Sequence, residues 1–150
     1  MNYPGPIQDL INAFSKLPSV GSRSAARLCM HLLEKDRKSG LDLAKCLTNA
    51  MQKITQCERC HNFCEGSLCE ICKSNNRDKS KLCIVSMPMD IISIEQTAYF
   101  KGFYFVLMGV LSPLDGISPS DLNFNSLQSR LEDENLKEII LAISPTPEAA

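Results

Sequence analysis

Two C-x-x-C pairs, Cys57-Glu-Arg-Cys60 and Cys69-Glu-Ile-Cys72, constrain this chain more than any other feature. Each pair can turn two thiolates toward one tetrahedral ion at about 2.3 Å, and the eight-residue gap fits a single small closed site. Four sulfur ligands leave no position for water, so the expected cofactor is one structural Zn²⁺ held by Cys57, Cys60, Cys69 and Cys72. Cys64 and His61 lie inside the loop, and Cys60-x-x-x-Cys64 is an alternative pairing, but the outer C-x-x-C symmetry is the more regular. Neither pair sits at a strand-to-helix junction, as a thioredoxin-like redox motif would. The chain has eight cysteines, and the N-terminus shows no basic region followed by an apolar stretch, so no secretion signal is read. A disulfide framework is therefore not expected, and the protein is read as cytosolic. Cys29, Cys46 and Cys83 fall in apolar faces and are read as small core residues. His31 has no partner in sequence and is read as structural or exposed.

At 150 residues, with 44% apolar and 22% charged side chains, the chain is neither disordered nor collagen-like. Its longest apolar run, Phe103–Met108, is far shorter than the ~20 residues that span a bilayer. The net charge of −1 is unevenly spread. Residues 1–56 carry eight Lys/Arg against four Asp/Glu, a net of +4, whereas residues 81–150 carry four against nine, a net of −5. A basic front and an acidic back suggest an anion-binding module followed by something else.

The apolar periodicity divides the chain further. Ile7, Leu10, Ile11 and Phe14 recur at helical spacing after Pro4-Gly5-Pro6. A second helix is predicted from Ser22 as N-cap to about Lys38, burying Ala26, Leu28, Cys29, Leu32 and Leu33. Ser39-Gly40 is expected to break it, and a third helix then buries Leu43, Ala44, Leu47, Met51 and Ile54. After the cysteines and a polar linker, Lys73–Lys81, the pattern changes. Leu82–Val85, Tyr104–Met108 and Ile139–Ile143 read as strands. Pro88 fits N1 of a helix carrying Ile91, Ile92 and Ile94, and residues 120–134 read as a helix with Leu122, Leu127 and Leu131 inward. Strand–helix–strand–helix–strand implies a parallel α/β sheet. The third strand is followed by no covering helix, so the sheet is expected to be incomplete and less stable than a zinc-pinned front half, with early proteolysis after about residue 80. The expected organisation is α+β and multidomain: a helical DNA-binding module at 1–56, a four-cysteine zinc finger at 57–72 and a partial α/β domain at 80–150.

The first two helices are joined by Leu17-Pro-Ser-Val-Gly21, followed by Ser22-Arg23-Ser-Ala-Ala-Arg27. Gly21 permits positive φ and close backbone approach. The N–H groups opening the next helix form an anion site, and Arg23 and Arg27 are i,i+4 neighbours on one face. Gly21, Arg23 and Arg27 together suit a nucleic-acid phosphate, bound without reading sequence. The alternative is an ordinary helical hairpin with solvated arginines.

This segment resembles the helix-hairpin-helix of the RecR family of bacterial recombination mediators. The order continues as in that family, with a four-cysteine zinc finger and then a Toprim domain. Leu107–Gly116 resembles the family's Toprim segment, Ile91–Gln96 its preceding helix, and Ile140–Glu148 its next strand and loop. The resemblance covers the whole chain and implies DNA binding, recombinational repair, action with RecO and RecF, and a location at the bacterial nucleoid. Some positions depart from the family pattern. Ser19 stands where a hairpin glycine is usual, Arg23 replaces a lysine, and Ser86 replaces the acid that ends the first Toprim strand. The final loop reads Pro147-Glu-Ala-Ala150 where Val-Glu-Gly-Glu is common. The family continues through the rest of the Toprim domain and a C-terminal segment used in ring assembly. A C-terminally truncated chain is therefore expected, and the homo-oligomer typical of the family is not carried over to it.

Three functions compete. The first is a non-enzymatic, zinc-stabilised DNA-binding repair protein. The second is a Toprim metal-dependent nucleic-acid phosphotransferase, which needs several carboxylates converging on Mg²⁺. The third is a zinc-dependent interaction scaffold in a non-functional copy. With Ser86 at the strand end, Asp90 and Glu95 in solvated or capping positions, Asp115 in an Asp-Gly turn and Glu148 near the terminus, no catalytic residue is expected. No G-x-x-x-x-G-K-[ST] pattern supports ATP hydrolysis.

Overall fold

Pro4 and Pro6 flank the start of the first helix, α1 (Gly5–Ser15), in positions where a missing N–H costs nothing. The structure, a computed structural model, describes residues 3–109 and 123–143. The chain divides into two units, Met1–Gln52 and Lys53–Ala150. In the first, α1 is followed by α2 (Ser22–Glu34) and α3 (Arg37–Lys53). Ile11 of α1 meets Ala25 and Cys29 of α2 in a small core edged by Ile7, Leu10, Phe14 and Leu33.

Several expectations about these helices are corrected. The N-cap of α2 is Gly21, not Ser22. The helix ends at Glu34 rather than near Lys38. The Asp36 carboxylate accepts the Ser39 N–H at 3.0 Å and starts α3 early. Ser39-Gly40, expected as a break, therefore lies inside the first turn of α3. Ala25 and Cys29, four residues apart, centre the buried stripe, while Leu28, one position round the helix, stays exposed. On α3 nothing is buried. Leu43, Leu47 and Met51 are exposed, Met51 at 76%, and so is Cys46. Periodicity shows that this face is apolar, but does not name what covers it. Ile54 leaves the helix altogether and opens a strand.

The second unit begins with a short antiparallel hairpin, β1 (Ile54–Gln56) and β2 (Phe63–Glu65), in which Thr55 opposes Cys64. A single helical turn, α4 (Glu70–Lys73), follows. Three parallel strands form the sheet: β3 (Lys81–Val85) at the centre, β4 (Phe103–Val106) on one side and β5 (Glu138–Ala142) on the other. Helices α5 (Pro88–Gln96) and α6 (Phe124–Leu131) lie between them in sequence. The parallel α/β pattern read from the sequence is thus present. Residues 110–122 and 144–150 lie outside the described residues, and with them Leu122, the Asp115 loop and Glu148.

Successive residues of β3 and β4 point to opposite faces, and both faces are covered. Cys83, Val85, Tyr104 and Val106 pack with Ile91 of α5. Leu82, Ile84, Phe103 and Phe105 pack with Leu127 of α6 and with all five clustered cysteines. The cysteine loop is therefore one of the layers that cover the sheet. Two helix positions depart from the expected faces, since Ile92 and Leu131 are exposed. On β5, Ile139, Ile140 and Leu141 are also exposed.

The polar linker contains an anchor that the sequence did not show. Arg77 donates to both carboxylate oxygens of Glu95, at 2.6 and 3.0 Å, and to the carbonyl of Gly102 at 2.9 Å. The Tyr104 hydroxyl donates to the same carboxylate. Gly102 has no room for a side chain, because a Cβ there would lie 2.6 Å from the Lys81 carbonyl oxygen. Asp90 caps α5 by accepting the Met87 N–H at 2.8 Å, which bears out its reading as a capping residue.

The Arg77 guanidinium, and then Tyr104, hold the Glu95 carboxyl below its ordinary value of 4.5. A depressed folded pKa stabilises the fold above the unfolded value, and that stability is lost as pH falls through the lowered one. Urea unfolding of the second unit should accordingly weaken below about pH 4.5. Arg77→Ala should cost about 1–3 kcal/mol at neutral pH, reduced from the fully buried case because Glu95 is partly exposed. An unchanged midpoint for Arg77→Ala would show that the pair contributes nothing.

Candidate zinc centre and basic hairpin

The zinc-ligand candidates converge. The sulfur atoms of Cys57, Cys60, Cys69 and Cys72 all lie within 4.8 Å of one another and are buried. Tetrahedral Zn–S bonds of 2.3 Å place sulfurs about 3.8 Å apart, so the cage matches the size of the ion. The donor set, four thiols with no carboxylate or imidazole, is the one that suits a closed structural zinc site. Local folding explains the convergence. The first pair sits in a tight turn in which the Cys57 carbonyl accepts the His61 N–H at 2.9 Å, and the Cys57 N–H donates to Asn62 at 2.7 Å. The second pair opens α4, whose N-cap is Cys69, and the Cys72 N–H donates to the Cys69 sulfur at 3.4 Å.

The electrostatics of the cage follow from crowding. Cys60 and Cys69 sulfurs are 3.5 Å apart. Hydrogen bonds from the Cys60 and Cys72 thiols pull the Cys69 thiol below its ordinary value. Cys60, the donor to that sulfur, is pushed up. A bound cation removes this conflict by accepting all four sulfurs as thiolates.

Cys64 and His61 stand outside the cage. The Cys64 thiol donates to the Gly66 carbonyl at 3.2 Å, and its pKa is raised, chiefly by burial. His61 turns its ring edge-on to Phe105, with centroids 5.2 Å apart. Cys83 is buried in the sheet, as expected, and burial pushes its thiol up to about 11. One contact ties the cage to the sheet through the backbone, since the Val106 N–H donates to the Cys60 carbonyl at 2.8 Å.

The hairpin residues assemble differently. Gly21 adopts φ −77° and ψ 167°, ordinary extended backbone, so the expected positive φ is not there. The left-handed residue is Ser19, at φ 64°. This is the position where the RecR pattern has glycine, and a non-glycine residue there carries about 1–2 kcal/mol of strain. Around Gly21 the space is open, and a Cβ would meet nothing within 4 Å. No side chain caps α2, and no acid lies in its first turn, so its leading N–H groups face outward unneutralised. Arg23 and Arg27 are both exposed, and neither forms an ion pair among the described residues. Arg27 continues into His31 and Lys35 at four-residue steps, lining with Ser24 a depression of about 670 Å³. His31 is exposed. The sequence reading missed this extension of the basic face, although the i,i+4,i+8 spacing carried it. Such a surface, with Glu34 as the one acid on its lining, can hold successive oxyanions.

The Toprim-like end lacks a carboxylate cluster among the described residues. Ser86, at the end of β3, is buried with its hydroxyl unpartnered. Glu95 is committed to Arg77 and Tyr104, and Asp90 to the α5 cap. No helix among the described residues is long and apolar enough to cross a membrane.

A helical hairpin, a four-cysteine zinc knuckle and a parallel sheet in this order define a three-part zinc protein. Comparison with known families assigns each part. Residues 7–51 match the RecR helix-hairpin-helix, residues 54–74 the RecR four-cysteine zinc finger domain, and residues 80–148 the Toprim domain. The chain is 46% identical over 140 residues to a protein named Recombination protein RecR from Legionella pneumophila strain Philadelphia 1, covering 93% of this chain and 70% of the relative. It is 44% identical over 142 residues to the protein of that name from Hahella chejuensis, covering 95% and 71%. The chain belongs to the RecR family, and its cofactor is one structural zinc ion.

Ligand roles can be read from metal content. Cys57→Ser should lose zinc and unfold the loop, because structural zinc contributes on the order of 10–16 kcal/mol in finger peptides. Cys64→Ser should keep one zinc per chain. Loss of metal from the Cys64 variant would overturn this ligand set.

Proposed function

We propose that the chain is a DNA-binding recombination mediator that acts in recombinational repair with RecO and RecF and performs no chemistry itself. The observation that carries this reading is the hairpin. Exposed, unpaired Arg23 and Arg27 flank an uncapped helix N-terminus beside the open space at Gly21. A phosphodiester fits there, because N–H groups orient it while guanidinium groups supply charge. Contacts confined to phosphates give affinity without sequence preference. The family membership and the name of the relatives, Recombination protein RecR, support the repair role.

Cys57, Cys60, Cys69 and Cys72 are proposed as the zinc ligands, and the zinc works as scaffold. The domain limits 1–56, 57–72 and 80–150 remain our proposal for the three parts, with the last two sharing one core. A location in the cytoplasm at the nucleoid follows from the same reading. The Toprim phosphotransferase alternative is disfavoured because Asp90 and Glu95 are engaged elsewhere and Ser86 supplies no acid.

Binding to mixed-sequence DNA should weaken steeply with salt. The double variant Arg23→Ala/Arg27→Ala should lower the log–log salt slope by roughly 1.5–2 and lose most of the affinity. Gly21→Ala should fold normally, since its Cβ meets nothing, yet bind less well because it blocks close approach. Equal affinity for wild type and the double variant would sink the hairpin as the DNA site.

A further inference from the structure

One depression in the second unit brings two arginine side chains to a single hollow. It measures about 440 Å³ and is lined by Glu58, Arg59, Leu68, Ser126, Ser129 and Arg130. Arg59 lies inside the first cysteine knuckle, with its guanidinium 4.6 Å from the centre of the Phe103 ring. That stacking fixes the planar head, whose N–H groups make no hydrogen bond among the described residues. Arg130 is on α6, and the helical repeat places it on the same face as Ser126. Its Nε is buried with no hydrogen-bond partner.

The surrounding charges leave both arginines without an ion pair. No carboxylate lies within 4.0 Å of either among the described residues. Glu58 sits at the exposed rim. Asp133 is close enough to feel both guanidinium groups, but its carboxylate is taken up by the backbone and side-chain N–H groups of Asn135, at 2.9 and 3.0 Å. Burial, and then the neighbouring charge of Arg59, pull Arg130 below its usual value, against the opposing effects of Cys72, Asp133 and Cys60.

We propose that this depression is a second phosphate-binding site, taking a backbone phosphodiester of a nucleic-acid strand. The inference rests on the DNA-binding reading and deepens it. Two guanidinium groups lining one open hollow, with Ser126 beside them, offer donors to several oxygens of one tetrahedral anion. An anion there also relieves the repulsion between the two arginines.

The test uses the full zinc-loaded chain and the variants Arg59→Gln, Arg130→Gln and Arg130→Lys. Zinc content and melting temperature select folded variants, and Arg130→Lys keeps the charge if the glutamine variant fails to fold. Inorganic phosphate should shift the Arg130 Nε–H resonance in the wild type, and Arg59→Gln should weaken that response. On single-stranded DNA, each glutamine variant should lower the salt slope by about 0.7. Unchanged slopes in folded variants, with binding lost in the hairpin double variant, would overturn this site and leave the DNA reading standing. No DNA affinity in the wild type would remove the DNA reading and, with it, the phosphodiester assignment. A silent Nε resonance in phosphate would overturn anion binding itself. Faster zinc release with unchanged slopes would reassign the arginines as counter-charges of the thiolate cluster, and would also overturn the proposal.

Discussion

Four thiols drawn onto one face of the β3–β4 ladder are the constraint on which the second unit depends. Cys57, Cys60, Cys69 and Cys72 share a core with Leu82, Ile84, Phe103 and Phe105. Without metal, this face of the sheet is covered by thiols that compete for one proton arrangement. With zinc, the same sulfurs become a rigid plug whose polar atoms are all used by the ion. The Cys60 carbonyl then presents a fixed acceptor to the Val106 N–H. Metal binding and sheet formation are thereby one folding event.

The opposite face is held by different means. Ile91 covers Cys83, Val85, Tyr104 and Val106, and the Arg77–Glu95–Tyr104 network ties the linker to both α5 and β4. The charged groups lie at the edge of that apolar layer, where solvent lowers the desolvation cost of the pair. In the helical unit, packing is limited to a small α1–α2 core. In this unit the proposed DNA contacts are displayed from the α1–α2 turn, while most of the surface of α3 stays exposed.

What the sequence revealed follows from which interactions are local. The zinc knuckles were legible because both halves of each pair lie within one turn, and the spacing alone limits the metal. The three strands were legible because β3 and β4 are covered on both faces and so read as continuous apolar runs. Arg23 and Arg27 could be placed on one helix face by period alone. By contrast, Arg77 and Glu95 are 18 residues apart, and no periodicity links a loop cation to a distant helical acid. The sequence also could not show that the knuckle is a layer of the sheet, since that is decided by which apolar face it meets. Leu28, Leu47 and Met51 misled for the same reason, because an apolar stripe states its own chemistry and not its partner. Ser19 is an intermediate case. Its departure from the family glycine was visible, and the positive φ gives that departure a physical cost.

Hydrogen exchange at the Val106 amide tests most directly whether the metal holds the sheet. This N–H is bonded across to the Cys60 carbonyl, while its neighbours in β3 and β4 are bonded within the ladder. Removing zinc with a chelator should speed exchange at Val106 and along Leu82–Val85 and Phe103–Val106 together, by roughly a hundredfold or more. The α1–α2 amides should be unaffected. Faster exchange confined to residues 57–72, with β3 and β4 as protected as before, would contradict the account and make the knuckle an ornament on a sheet that stands without it.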